Sequence, residues 1–561
     1  MLIRSIWMLA FLLIPPMSCV AAAEDNEDTR EKKVVNSVPP EAWQAPWVND
    51  VPLDLLPNVV FTPDKPGTTL TVDALPKVDS ISQYGITWKF DKKVPAGRFV
   101  NGDWYVVGPV TVIDIEPKTV VSEETLPDGK KKIIVRHGSM HNFRVSTNNP
   151  IGFDNRVINH FEPKALNLVP ISLKPGDNLM STISSPLKEY ATVRRMLGPF
   201  NSSHKSVCGI KVAAVLLCMD KPVATDAFRP PYMATAHPLY YARNLKRDFL
   251  PSLPRLKEVL PYNADGEPQY FKKNTETGRA ELCYDIRAYA RYFRLPWLDT
   301  VFFSFSAPSQ NMPQYGRELG RIVGNAALLL CLDFTREQKE RLIINFCQVG
   351  IDRWGMLLGG HPGWRAFGGH GSGRKLSIEL TGVFLGDEEM QNPYKKFPNV
   401  EFGEDMQVVD EKSWTGADVS YAGHYGRKFG SSERNPQGTE YEYMPPTEWK
   451  TKAAFTGESY RRCCTGICWV AQALAIRFMK IEKVWNNDPF MRYCDRWMTE
   501  KDADNVKIIH DSVKLETIAE IKKVEKDPGF KFDYRPDYMA GGTTWDSFVN
   551  EIYATYRNKQ P

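Results

Sequence analysis

Hydrophobic periodicity changes once along this chain of 561 residues, and that change constrains its architecture more than any other sequence feature. Up to about Arg229 apolar residues alternate with polar ones. Runs such as "YGITWKF" (84–90), "GDWYVVGPVTVIDIEP" (102–117) and "KKIIVRHGSM" (131–140) are β-branched and aromatic, and they are separated by Gly, Pro and Asp-Gly signals as in "LPDGKKK" (126–132). This is the pattern of short strands joined by hairpins. "TTLTVDAL" (68–75), "KPGDNLMSTIS" (174–184) and "VCGIKVAAVLLCMDKP" (207–222) extend it. After "RPPYMATAHP" (229–238) the period becomes that of a helix. In "YGRELGRIVGNAALLLCLDF" (315–334), Leu319, Ile322, Val323, Ala326 and Leu330 share one helical face, and "TREQKERLIINFCQVGIDRWGMLL" (335–358) opens with Thr335 and Gln338 in capping-box spacing. An α+β multidomain chain is expected: an N-terminal antiparallel β-rich domain over 58–240, then an α-helical domain over 241–500. Helices separated by long Gly-rich loops suggest a toroid-like array of helical hairpins whose loops at one end build a site. Residues 501–561 are expected to form a helical tail of mixed charge. Its amphipathic stretch "SVKLETIAEIKKVEK" (512–526) is expected on the outside.

The first residues predict export. Arg4 precedes an apolar run from Ile6 to Ile14, and small residues precede Ala23, so residues 1–23 read as a signal peptide. Cys19 offers lipoprotein anchoring as the alternative. Residues 24–57, charged and proline-bearing, read as an extended arm that packs Trp43 and Trp47 on something else. No segment has the ~18 uninterrupted apolar residues of a membrane span, so a secreted or periplasmic protein is expected. The formal charge of +4 on the whole chain is too small for a nucleic-acid partner. Loss of Cys19 with the signal would leave an odd number of the ten cysteines, which excludes a disulfide scaffold. Cys331, Cys347, Cys463, Cys464 and Cys468 fall in helical patterns and read as small buried hydrophobes.

Three segments of the helical half concentrate unusual side chains. "GGHPGWRAFGGHGSGRK" (359–375) holds seven glycines with His361, Arg365, His370, Arg374 and Lys375, and no acid. "SYAGHYGRKFG" (420–430) supplies Tyr421, His424, Tyr425, Arg427 and Lys428. "GESYRRCC" (457–464) puts Tyr460, Arg461 and Arg462 at the front of a helix, where cations oppose the dipole unless an anion compensates. "GGHGSGRK" nearly fits a phosphate loop, with Gly368 and Gly373 in place. Arg374 and Lys375 occupy the lysine and hydroxyl positions, however, and no strand precedes the loop. A metal on His361, His370 and His424 with Glu404, Asp405 or Asp418 matches no recognised ligand spacing and would face repelling arginines, so no cofactor is expected, and a structural metal fits these residues better than a catalytic one.

The residue types suit an anionic sugar better. Removing the C5 proton of a uronate requires its carboxylate to be neutralised, a base to take the proton and an acid to protect the departing oxygen. Arginine supplies the first through its bidentate fork, and histidine and tyrosine supply the others. Trp364, Trp414 and Tyr443 could stack on sugar faces.

On "GGHGSGRK", "SYAGHYGRKFG", "YRRCCTGICWVAQALAIRFM" (460–479) and "WNNDPFMRYCDRWM" (485–498), the region 300–500 resembles, in style and residue chemistry, secreted bacterial polysaccharide-degradation proteins and the (α/α) toroid polysaccharide lyases acting on alginate, glucuronan or glycosaminoglycans. The resemblance implies a secreted lyase that cleaves a uronic-acid-containing glycan, sulfated or not, by β-elimination without a cofactor. It assigns His370 or His424 as base, Tyr425 as acid and Arg374 or Arg427 as carboxylate neutraliser. Arg365, Arg461, Asn311 and Trp364 would bind substrate. Two alternatives stay open. One is a glycoside hydrolase using two of Glu379, Asp387, Asp405, Asp418 and Glu458. The other is a non-catalytic envelope protein that captures anionic glycan.

Overall fold

The computed structural model describes residues 67–557, apart from 145–149, 158–159, 186–208, 234–237, 263–267, 274–279, 301–306, 450–453, 513–540 and a few shorter stretches. The expected signal peptide, the arm with Trp43 and Trp47, and nearly all of the amphipathic stretch at 512–526 lie outside the described residues.

The alternating segments form strands β1 (Lys77–Gln83), β2 (Ile86–Arg98), β3 (Trp104–Val107), β4 (Val110–Glu116), β5 (Val120–Thr125), β6 (Lys131–Arg136), β7 (Ser139–His141), β8 (Ile171–Leu173), β9 (Asn178–Ser184) and β10 (Ile210–Met219). The main sheet runs β7-β9-β10-β3-β2-β4-β8, with β1 also beside β2. It curls into a nearly closed barrel, across which the Trp88 indole of β2 donates to Ser181 Oγ of β9 at 3.0 Å. The β10–β3 pair is parallel, with Leu217 opposite Tyr105, which departs from the expected all-antiparallel domain. Several strands separate these two in sequence, so no hairpin dictates their direction. β5 and β6 pair as a separate hairpin around Asp128-Gly129, where Gly129 takes the positive φ (80°) such a turn favours. "TTLTVDAL" is not a strand. Val72–Ala74 is a 3₁₀ turn capped by the Thr71 side chain, and no described strand lies beside it to accept a ladder.

β10 explains its own uniform hydrophobicity, because a strand buried on both faces has no polar side. Val212, Ala214 and Leu216 face the barrel interior with Trp88, Phe90 and Leu179. Ile210, Ala213, Val215 and Leu217 join a second core shared with Trp354, Leu357 and Ile378 from the helical half. The two halves are also pinned by buried charge. Arg229 lies between Asp103, just before β3, and Asp352, at 2.6 Å from each. Packing therefore continues across the boundary expected at residue 240.

The helical half contains α1 (Ile286–Tyr292), α2 (Gly316–Leu330), α3 (Arg336–Leu358), α4 (Arg374–Leu385), α5 (Gly466–Phe478), α6 (Asp488–Thr499), α7 (Asp502–Ser512) and α8 (Ser547–Tyr556). α2 packs along α5, α3 packs with α1 and α4, and α6 packs on α5. At the α2–α5 crossing a Cβ on Gly324 would stand 2.8 Å from that of Ala471, so the small residues permit the approach. The capping box forms as expected: Thr335 Oγ1 accepts from Gln338 N–H at 3.3 Å, and Gln338 Oε1 accepts from Thr335 N–H at 2.9 Å. α2 is buried on every side, its polar face included. Arg321 of that face pairs with Glu318 and, at 2.7 Å, with Asp546. Asp546 leads into α8, whose Phe548, Val549 and Ile552 enter the helical core. The end of the tail is thus part of the core. Among the described residues no helix is long and apolar enough to cross a membrane.

Candidate functional site

The glycine-rich loop 359–375 runs from the end of α3 into α4, and the second segment leaves a short strand at Ser420–Tyr421. The two loops are joined by Gly368 N–H donating to the His424 carbonyl at 2.8 Å. Gln407, buried just beyond a helical turn at Gly403–Met406, clamps the junction. Its amide donates to the Gly368 carbonyl at 2.9 Å and to Tyr421 Oη at 3.0 Å, and lies 3.4 Å from the Gly423 and His424 carbonyls. The third segment closes on the first because Gly368 and Gly369 have no side chains. A Cβ on Gly368 would lie 2.3 Å from the Tyr460 ring, and one on Gly369 would lie 2.3 Å from the Cys464 carbonyl. The three segments therefore meet.

Their meeting point is an aromatic and imidazole cluster around half-buried Phe367. Its ring centroid lies 4.5 Å from that of His424, 5.3 Å from Tyr425 and 5.7 Å from His370. Tyr460 packs edge-on to His424 at 4.3 Å, and Tyr315 to His370 at 4.5 Å. His424 is buried, and its Nδ1 has no hydrogen-bond partner. Burial alone pushes its imidazole down to about 4, so it is neutral at neutral pH with a nitrogen lone pair or N–H uncommitted. Tyr425 beside it, with ring centroids 4.9 Å apart, is only partly buried.

The arginines differ from the expectation that they reach out to a substrate carboxylate. Arg374 is buried with Nε and Nη2 on Asp299 at 2.9 and 2.8 Å, while its Nη1 donates to the carbonyls of His370 and Ser372. It braces the loop that carries His370. Asp299 also accepts from Arg353; burial works to raise its carboxyl, but the two guanidiniums outweigh burial and hold it below the usual range. Arg427 is shared by Glu411 and Glu440. Arg461 and Arg462 both meet Glu458, and Arg462 also meets Asp502, so internal carboxylates supply the compensation these helix-front cations need. Lys375 pairs with Asp405 at 2.7 Å. Arg365 is exposed and makes no hydrogen bond or ion pair with a described residue.

Two more expected binding residues are occupied elsewhere. The Asn311 amide donates to the carbonyls of Tyr292 and Leu295 at the end of α1. Trp364 is fully buried, its indole donating to the Asp299 carbonyl and its ring stacked 4.6 Å from His361, so it offers no face to a sugar. Trp414 packs on Trp449, and the exposed Tyr443 ring is covered by Arg434. His361 accepts from Gly363 N–H and does not join the other two histidines; among the described residues no three His, Cys, Asp or Glu side chains come together as metal ligands. Of the carboxylates considered for hydrolysis four are engaged, whereas Glu379, 3.8 Å from Lys375, keeps one buried oxygen without a hydrogen bond, and burial pushes its carboxyl well up. Asp387 accepts from Tyr240, Asp405 from Lys375 and Tyr394, Asp418 from Arg492, and Glu458 from Arg461.

Phe367, Tyr315 and Gln407 were not legible as site residues, and neither was the disulfide between Cys463 and Cys464. That disulfide corrects the reading of those two as thiols, whereas Cys331, Cys347 and Cys468 are free and buried as expected. The only sequence signal for the pair was its adjacency. No protein-family model, curated protein or solved structure matches the chain.

Proposed function

We propose that the chain is an exported polysaccharide lyase that cleaves a uronate-containing glycan by β-elimination at the His370–His424–Tyr425 cluster. The observation that carries this reading is His424: a buried, uncharged imidazole with an uncommitted Nδ1, beside a partly accessible phenol. In the proposed step the imidazole takes the C5 proton, the electron pair forms the C4–C5 double bond, the C4–O bond breaks and Tyr425 protonates the leaving oxygen. A uronate carboxylate arriving beside His424 raises its basicity from the depressed resting value. Arg365, a cation with no partner among the described residues, takes the neutralising role first given to Arg374 and Arg427. The pairwise helix packing is read, on the same proposal, as the unit of an (α/α) toroid.

A capture-without-turnover reading is favoured by one observation, the internal pairing of Arg374, Arg427 and Arg461, which leaves the cluster short of cations. One experiment separates the two. The purified protein is incubated with alginate, glucuronan, ulvan and chondroitin while the ultraviolet absorbance of the unsaturated product is followed. Turnover that falls ~10²–10⁴-fold in His424→Gln and in Tyr425→Phe supports the lyase. Glycan binding without any chromophore on the whole panel replaces it with capture.

A further inference from the structure

The cluster has a back wall that the elimination step does not use. Tyr315, Tyr460 and Cys464 form a small apolar group separate from the main cores, with Cys463 half-buried against it. Tyr315 backs His370 and Tyr460 backs His424, so Cys464 packs in one group with the supports of the two imidazoles. A Cβ on Gly369, the neighbour of His370, would lie 2.8 Å from Cys464 Cβ, which brings the loop itself onto the cysteine. The pair sits in a π-helical turn, Arg461–Thr465, immediately after Tyr460. That turn is anchored from outside by Glu458 on Arg461 and Arg462, and by Arg317 donating to the Cys463 carbonyl at 3.1 Å. A bond between adjacent cysteines closes a small ring and removes the rotational freedom of both side chains and of the peptide between them.

We propose that the Cys463–Cys464 disulfide is a positioning element of the imidazole site, holding Tyr460 against His424 and Tyr315 against His370, and that a dithiol reductant releases it. The inference rests on taking that cluster as the working site, but it is tested on the imidazoles and not on turnover. In the reduction, a dithiol thiolate attacks one sulfur, the S–S bond breaks and a mixed disulfide forms. The second thiol then displaces it, so two cysteine thiols are gained and the reductant leaves as its cyclic disulfide, a two-electron, two-proton exchange. The other described cysteines are free, so this is the one disulfide among the described residues for the reagent to open.

The test is histidine Cε1–H NMR titration of the full chain, as purified, after dithiothreitol, and as the Cys463→Ala/Cys464→Ala variant. The titratable groups packed on His424 are the phenols of Tyr425 and Tyr460; Phe367 adds none. Loosening Tyr460 admits water to the imidazole, and the His424 midpoint is expected to rise by about one pH unit or more in both treatments. His361, equally depressed but stacked on Trp364, is expected to stay where it is. Each of these results overturns the proposal: His424 unmoved by reduction, His361 and His424 moving together, or alkylation and mass analysis finding free thiols at 463 and 464 in the untreated protein. Should the double variant not fold, the dithiothreitol arm on folded protein decides. Unfolding in that arm as well assigns the bond to stability and refutes the positioning role. Lyase inactivity on every glycan would leave the titration midpoints, and what they say of the disulfide, unaffected.

Discussion

A histidine whose burial outweighs any neighbouring acid opposes its own protonation, and in doing so couples folding to pH. His361 and His424 are both pushed by burial from the ordinary 6.5 to about 4. Between those values the unfolded chain binds protons at these two positions and the folded chain does not. Stability therefore rises with pH through this window and is lost on acidification, by up to about 3 kcal/mol per histidine. Urea midpoints measured from pH 7 to pH 4.5 should fall for the native chain and fall less for His424→Gln; equal slopes would show that His424 is already accessible. The sequence revealed that imidazoles, phenols and guanidiniums are dense in these loops. It did not reveal which cations are neutralised, because the acid that engages Arg374 lies 75 residues away, at Asp299. Gln407 is a still plainer case. Nothing about a lone glutamine marks it as the amide that ties two loops together.

At the scale of elements, what could be read was what is decided locally. The capping box at the head of α3 needs only Thr335 and Gln338, and Thr335→Ala should cost about 1 kcal/mol, measured by chemical denaturation, with no change in the His424 titration. The Asp128-Gly129 hairpin is equally self-contained. "TTLTVDAL" has the alternation of a strand, but alternation becomes a strand only when a neighbour supplies the ladder, and here a threonine cap wins instead. β10 shows the same rule from the other side, since its uniform hydrophobicity makes sense only once both flanking cores are known.

At the scale of the whole molecule, the shared core makes the two halves one cooperative unit. Arg229→Met would leave Asp103 and Asp352 buried without their counter-charge and should cost about 3–5 kcal/mol. Calorimetry should still show a single unfolding transition at a lower temperature, because the packing that spans the halves remains. Two separated transitions would mean that Arg229, and not the apolar core, couples them. The far end of the chain carries a related consequence. Arg321, inside the most enclosed helix, receives its carboxylate from Asp546, 225 residues later. Until that segment is in place the guanidinium has only Glu318 of its own helix as a carboxylate partner, so the packing of α2 is completed by a distant part of the chain. A stop codon shortly before residue 546 therefore removes the keystone of the helical half instead of trimming its edge.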